Sequence, residues 1–330
     1  PKNGVSSVQE KQMVTQKGAN THVIGIRGNF DDAQTGVKKM FNNAELTERM
    51  KKAGFMFSSA NSINIGRLVP QIVYYVYSYA SLYKKNEIAN GEKINFVVPT
   101  GNFGNILAAY YAKRIGLPVN KLICASNENK VLYDFFETGR YDRNRDFIIT
   151  ESPSMDILVS SNLERLIYHI SGDDSDRTAE LMKALTSKGV YEITDEMRDK
   201  LKDFLGGWAS GDKAREAIRS TYRDFGYVID THTAVAASVY RDYFKETGDS
   251  TKTVIASTAS PYKFARSVLA AIGLPSIPED DYEQANLLKE ISGTAVPKAV
   301  EELQSAPVLH NTVCDADKMQ SVVEEILKII

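Results

Sequence analysis

Thr100-Gly101-Asn102-Phe103-Gly104-Asn105 lies between a strand-like run ending at Pro99 and a helical pattern that follows. Glycines at such a turn let backbone N–H groups face an anion with no Cβ in the way. The helix N-terminus adds unpaired donors and about half a positive charge. A phosphate suits that description, although the same pattern also serves as a plain tight connection. The turn is neither the Gly-x-Gly-x-x-Gly dinucleotide fingerprint nor a Walker loop with its Gly-Lys-Ser/Thr ending, which disfavours nucleotide binding.

A second group, Asn61, Ser62, Asn64 and Arg67, offers amides, a hydroxyl and a guanidinium at the start of a helical pattern. Such a set can meet an amino-acid carboxylate and a phosphate ester, or simply cap the helix and decorate a surface. Thr258 stands at a strand-to-helix turn, where a hydroxyl commonly caps the next helix. His232, beside Thr231 and Thr233, suits a local hydrogen-bond cluster better than proton transfer. No His/Cys/Asp/Glu cluster has metal-ligand spacing, and neither cysteine has a nucleophile's local signature.

The elements that must position these groups follow from periodicity. Thr21 to Ile26, Ile94 to Pro99, Lys121 to Ala125 and Thr253 to Ala256 read as strands. Helical patterns run over Asp31 to Phe41 with Asp31 as cap, Ile63 to Tyr83 with a kink at Pro70, and Ile106 to Ile115. Others run from Thr231 as cap to about Lys245, from Pro261 to Ile272, and over Ala316 to Ile330. Strands alternating with helices predict an α/β fold around a mainly parallel sheet. Asp173 to Asp212 reads as polar surface helices carrying no chemistry. The tyrosines at 74, 75, 77 and 79 read as packing residues.

Composition narrows the class. The chain has 330 residues, 43% apolar and 25% charged, with a formal net charge of −2. These values suit a folded enzyme-sized protein and leave no electrostatic footprint for nucleic acid or an anionic membrane. The most apolar stretches are too short for a membrane span, and no secretory signal is expected from the opening residues. Cys124 and Cys314 read as buried thiols of a reducing cytoplasm.

Pro99 to Asn105 resembles the phosphate-cradling loop of threonine synthases, pyridoxal 5′-phosphate (PLP) enzymes of the tryptophan-synthase-β-like class. Ser59 to Leu68, Asp230 to Ala236 and Thr258 to Phe264 are similar to further blocks of that family, in its order. Gly4 to Gln12 with Gly28 to Ala33 resembles its smaller domain. The resemblance implies PLP fold type II, with mainly parallel sheets and flanking helices. It implies residues 1–57 as the remainder of a smaller α/β domain, 58–275 as the cofactor domain, and 276–330 as a C-terminal segment. It further implies that Gly101, Asn102, Phe103, Gly104 and Asn105 hold the PLP phosphate through backbone amides. Thr258 would meet the pyridine nitrogen, and Asn61, Ser62, Asn64 and Arg67 would meet the substrate, O-phospho-L-homoserine, on its way to L-threonine. A serine or threonine dehydratase and a non-catalytic PLP-fold binding protein are the alternatives.

Two departures accompany the likeness. The family's Schiff-base lysine sits in a Ser-Phe-Lys-Asp-like block, which is absent here, since Lys263 belongs to a different motif. The expectation is that this lysine lies upstream of Pro1 in a longer parent, the chain being N-terminally truncated and inactive alone. Ser260 also stands where family members commonly have histidine.

Overall fold

A computed structural model describes residues 7–28 and 30–329, apart from the side chains of Ser7, Phe30, Asp31 and Gln34. The side chain of the expected cap Asp31 and part of the Gly4 to Gln12 block therefore lie outside what is described, and the backbone of Asp31 is already inside the helix that begins at Phe30. Two compact units form, one from residues up to Ser58 together with Ile277 onward, the other from Ser59–Ser276.

The first unit opens with α1 (Ser7–Val14), β1 (Ile24–Arg27), α2 (Phe30–Phe41) and α3 (Ala44–Lys52). Asn43 caps α3 by accepting from Leu46 N–H at 3.0 Å. Apolar residues on one face of each helix, Met40 on α2 and Leu46 and Met50 on α3, turn inward with Ile26.

The second unit begins with α4 (Ile65–Leu68). A 3₁₀ turn over Val69–Gln71 then leads into α5 (Ile72–Lys84). The kink expected at Pro70 is this 3₁₀ turn, because proline has no N–H for the ladder. There follow β2 (Ile94–Pro99), α6 (Gly104–Arg114), β3 (Val119–Ser126), α7 (Val131–Thr138), β4 (Arg140–Asp142), α8 (Leu163–Ile170) and α9 (Ser175–Lys188). The unit continues through β5 (Val190–Glu192), α10 (Asp195–Asp199), β6 (Phe204–Trp208), α11 (Gly211–Phe225), α12 (Thr231–Thr247), β7 (Thr253–Ile255) and α13 (Ala265–Ile272). The strands order as β6-β3-β2-β7, and every neighbouring pair is parallel.

β6 corrects the reading of 173–212 as surface helices alone. Its Gly206-Gly207 pair hides it from any propensity scale, yet both glycines serve packing. A Cβ at Gly206 would lie 3.2 Å from Tyr133 Cα of α7, and one at Gly207 would lie 2.3 Å from Val239 Cγ1 of α12. Successive strand residues face opposite ways, so α7 and α12 cover opposite faces of the sheet at close range. Tyr191, Met197, Leu201 and Phe204 are buried in the main core, so this segment is less superficial than its charge pattern indicates.

The chain then returns to the first unit through α14 (Asp281–Ser292), α15 (Lys298–Glu301), β8 (Thr312–Asp315) and α16 (Met319–Leu327). Of residues 276–330, expected as a segment of their own, those from Ile277 onward instead complete that unit. β8 pairs with β1 in parallel, Ile24 opposite Thr312 and Arg27 opposite Asp315. Cys314 and Met319 close its core.

Candidate functional site

Parallel strands release their loops at one sheet edge, and there α/β proteins collect their chemistry. Gly101 to Phe103 leave the end of β2. Ser257 and Thr258 leave β7, which pairs with β2 up to Val97 opposite Ile255. The sequence candidates from these two stretches thus share one edge.

The loop after β2 is held by its carbonyls. Ser160 Oγ donates to Gly101 C=O at 2.7 Å, and Asn162 donates to Asn102 C=O from both its backbone N–H, at 3.2 Å, and its Nδ2, at 2.8 Å. In a trans peptide the N–H points opposite to the carbonyl, so the Asn102 and Phe103 N–H groups face away from the 160–162 segment. The intrahelical ladder of α6 starts with Leu107 N–H donating to Phe103 C=O at 3.0 Å. The N–H groups of Gly104, Asn105 and Ile106 precede it and have no acceptor within the helix. This run of donors at an eleven-residue helix suits a phosphate, so the donor set fits the group expected from the sequence.

Each loop residue has a physical reason to be what it is. Phe103 takes the left-handed region, with φ 63°, uncommon for a bulky side chain. Its ring is buried and stacks at 6.1 Å on both Phe136 and Phe204. Its side chain is therefore core, and any ligand contact belongs to its backbone. A Cβ on Gly101 would lie 2.5 Å from Ser154 C=O, and one on Gly104 would lie 2.4 Å from Ser62 Cβ. Asn105 turns its side chain to the Tyr75 hydroxyl, which burial keeps protonated.

Gly104 thereby brings Ser62 and the phosphate-type loop together. Ser62 Oγ accepts from Gln71 Nε2 at 2.9 Å and keeps its own O–H to donate. The amide oxygens of Asn61 and Asn64 are used locally, accepting from Ile63 N–H at 3.0 Å and Gly66 N–H at 2.9 Å. Arg67 is exposed, and among the described residues no hydrogen bond or ion pair holds its guanidinium. Thr258 is exposed as well, and Ser260, not Thr258, caps the following turn by accepting from Tyr262 N–H at 3.3 Å.

Asp230, rather than the expected Thr231, caps α12, its Oδ1 accepting from His232 N–H at 2.8 Å and Thr233 N–H at 3.3 Å. His232 Nε2 accepts from Ser154 N–H at 3.2 Å, which leaves Nδ1 as the protonated nitrogen facing Asp230 Oδ1 at 3.3 Å. The imidazole thus braces the Ser154 segment on which Gly101 packs. Burial pushes the Asp230 carboxyl upward, but hydrogen bonds from the side chains of His232 and Thr233 and the His232 backbone outweigh it, leaving the pKa below the ordinary value.

A depressed folded pKa means that the unfolded chain binds more protons in the interval between the two values. Asp230 therefore adds stability that is present above the unfolded pKa of about 3.9 and is lost as pH falls through the folded value. Asp230→Asn is expected to flatten the acid limb of stability against pH, read as urea midpoints from about pH 5 downward. An unchanged limb would show that Asp230 is not among the groups whose protonation drives acid unfolding.

Sequence reasoning missed Ser160, Asn162 and Arg165 because they read as ordinary polar residues ahead of and within an amphipathic helix. It also missed the cluster of Asn127, Asn129, Thr150, Ser152 and Asp156. There Asn127 Nδ2 donates to Asp156 Oδ1 at 2.7 Å and Thr150 N–H donates to Oδ2 at 2.9 Å, fixing the loop ahead of Ser154. The Ser-Pro-Ser-Met-Asp run at 152–156 was the available signal. Both cysteines are free and buried, and burial pushes the Cys124 thiol up to about 12. Among the described residues no group could hold a metal ion, and no helix is long and apolar enough to cross a membrane.

Residues 233–323 match the family model described as threonine synthase, C-terminal. Human threonine synthase-like 1 is 40% identical over 327 residues, covering 98% of this chain and 42% of that protein. Threonine synthase of Pseudomonas aeruginosa is 36% identical over 307 residues, covering 92% of this chain and 62% of that one. The chain thus spans about half the length of these relatives. Among solved structures, PLP-bound threonine synthase from Brucella melitensis superposes with a TM-score of 0.79 at 34% identity, over 98% of this chain and 62% of that one. The yeast threonine synthase structure gives 0.82 at 28% identity, over 98% and 63%. Sequence and fold agree in this respect: over nearly its whole length the chain is similar to threonine synthases and threonine synthase-like proteins, with an α/β fold of the PLP type II kind.

Proposed function

We propose that the protein binds PLP and works as a threonine synthase, a lyase that takes O-phospho-L-homoserine and water to L-threonine and phosphate. The observation that carries this reading is the α6 N-terminus, whose loop carbonyls are tied back while its N–H groups stay available, with the Ser62 hydroxyl packed beside it. Bound there, PLP would supply an electron sink for charge developing on the substrate carbons.

The chain's own residues would divide the work. Backbone N–H groups of Asn102 to Asn105 hold the cofactor phosphate, and the Thr258 hydroxyl faces the pyridine nitrogen as a neutral partner. Ser62, with Asn61, Asn64 and Arg67, receives the substrate carboxylate and phosphate ester. No Ser-Phe-Lys-Asp-like block occurs in the sequence, so turnover is expected only when such a block is supplied, fused or separate.

The relatives named threonine synthase-like 1 reach 40% identity, above the 36% of the Pseudomonas threonine synthase. It is the absence of a Ser-Phe-Lys-Asp-like block that favours a second reading, a PLP-fold binding protein without turnover. PLP titration of the chain, followed by assays for phosphate, threonine and 2-oxo acids with the lysine block supplied, separates the readings. Phosphate and threonine together support a synthase. A 2-oxo acid from serine or threonine without phosphate release marks a dehydratase. Tight PLP without any product marks a binding protein, and no PLP binding at all overturns both proposals.

A further inference from the structure

Arg165, on the first turn of α8, spans the two candidate blocks. Its Nη2 donates to Ile63 C=O at 2.7 Å and its Nη1 to Ser62 C=O at 3.2 Å. Nη1 also meets Asn162 Oδ1. The amide of Asn162, buried to 1% exposure, uses its other end on Asn102 C=O at 2.8 Å. One guanidinium therefore reaches the 61–64 block directly and the 101–105 loop through a single buried amide.

The planar fork presents donors from separate nitrogens in fixed directions, whereas the three donors of lysine radiate from one nitrogen on a flexible stem. All three acceptors are neutral, and among the described residues no carboxylate pairs with Arg165. The side chain's charge thus remains uncompensated beside the donors of α6, where it favours anions. The carbonyls it holds also decide where the Ser62 hydroxyl lies against Gly104.

We infer that Arg165 is a positioning residue that couples the 61–67 block to the 101–105 loop, so that an anion bound at the loop also orders the block. The inference rests on the proposed cofactor site and extends it. No atom of Arg165 need touch a ligand for this, because the coupling runs through the Asn162 amide and the Ser62 and Ile63 carbonyls.

The test is amide hydrogen exchange on the whole chain, with and without PLP, and with inorganic phosphate as a second probe, in wild type, Arg165→Gln and Arg165→Lys. In wild type, either anion should slow exchange in both segments. In both variants the 101–105 loop should still gain protection on binding, while the gain at 61–67 disappears. PLP affinity should fall about tenfold, within the usual range for coupled sites. A purely structural role would lower the melting temperature and leave the paired protection intact, and that outcome overturns the inference. If Arg165→Gln does not fold, Arg165→Lys carries the comparison, since it keeps the charge and loses the fork. If no anion binds wild type, the cofactor proposal fails by itself. The coupling is then read without ligand: loosening of both segments in the variants supports it, and loosening of 61–67 alone overturns it.

Discussion

Gly104→Val is expected to weaken PLP binding by about a hundredfold, the scale of loss that a shift of about 1 Å causes at a pre-organised site. The first added carbon already lies 2.4 Å from Ser62 Cβ and 2.6 Å from its Oγ. Neither atom is the far end of a flexible chain, so the loop or the Ser62 block must move as a piece. Movement there turns the N–H groups of Gly104 and Asn105 away from their common focus while β2 and α6 stay paired and packed. Fluorescence titration with PLP, alongside far-ultraviolet circular dichroism, reads the two effects separately. A valine variant with native spectrum and wild-type affinity would remove the loop from the cofactor site. Gly104→Ala should fall between the two, since it brings the clash without the branched methyls.

Phe103→Ala is expected to cost about 3–5 kcal/mol of folding stability, the usual range for deleting a buried aromatic ring. The ring is 1% exposed and stacks on Phe136 from α7 and Phe204 from β6. Its removal empties the junction between the loop and the core. Phe103→Gly should recover about 1 kcal/mol relative to alanine, because φ of 63° strains any residue with a Cβ. Urea unfolding of the three proteins measures both increments. Equal stability of the alanine and wild-type forms would mean that the loop is not anchored by this ring. Any change in PLP affinity in these variants reports how far the anchor sets the loop's shape.

Short-range pattern carried the parallel strands, the Pro70 break and the glycine turn into the sequence reading. The run at 94–99 is buried throughout and apolar apart from Asn95, as a strand covered on both faces must largely be. β6 escaped because its two glycines are selected by neighbours 73 positions upstream on α7 and 32 downstream on α12, which no local window contains. The cap of α12 moved from Thr231 to Asp230 for a similar reason. Asp230 is fully buried, and only the folded packing against His232 and Thr233 makes a buried carboxylate tolerable.

The candidate site was legible where one residue type in one place does the work, as with Gly101 and Gly104. It was illegible where the work is shared. Ser160, Asn162 and Arg165 act on backbone carbonyls about 60 to 100 positions away, and carbonyls leave no mark on a sequence. Phe103 was read as part of a phosphate loop, but its side chain belongs to the core, a distinction that appears only once Phe136 and Phe204 are seen around it.

The pairing of β1 with β8 sets a timetable. Ile24 meets Thr312, and Arg27 reaches Asp315 across 288 positions of sequence. A ribosome adding about 5–20 residues each second exposes β1 many seconds before its partner exists. The second unit, contiguous from Ser59 to Ser276, is complete within that interval, so newborn chains have a folded sheet domain while β1, α2 and α3 still wait with Ile26, Leu46 and Met50 uncovered. Chaperone demand during synthesis therefore falls on β1, α2 and α3 until β8 and α16 emerge to cover them.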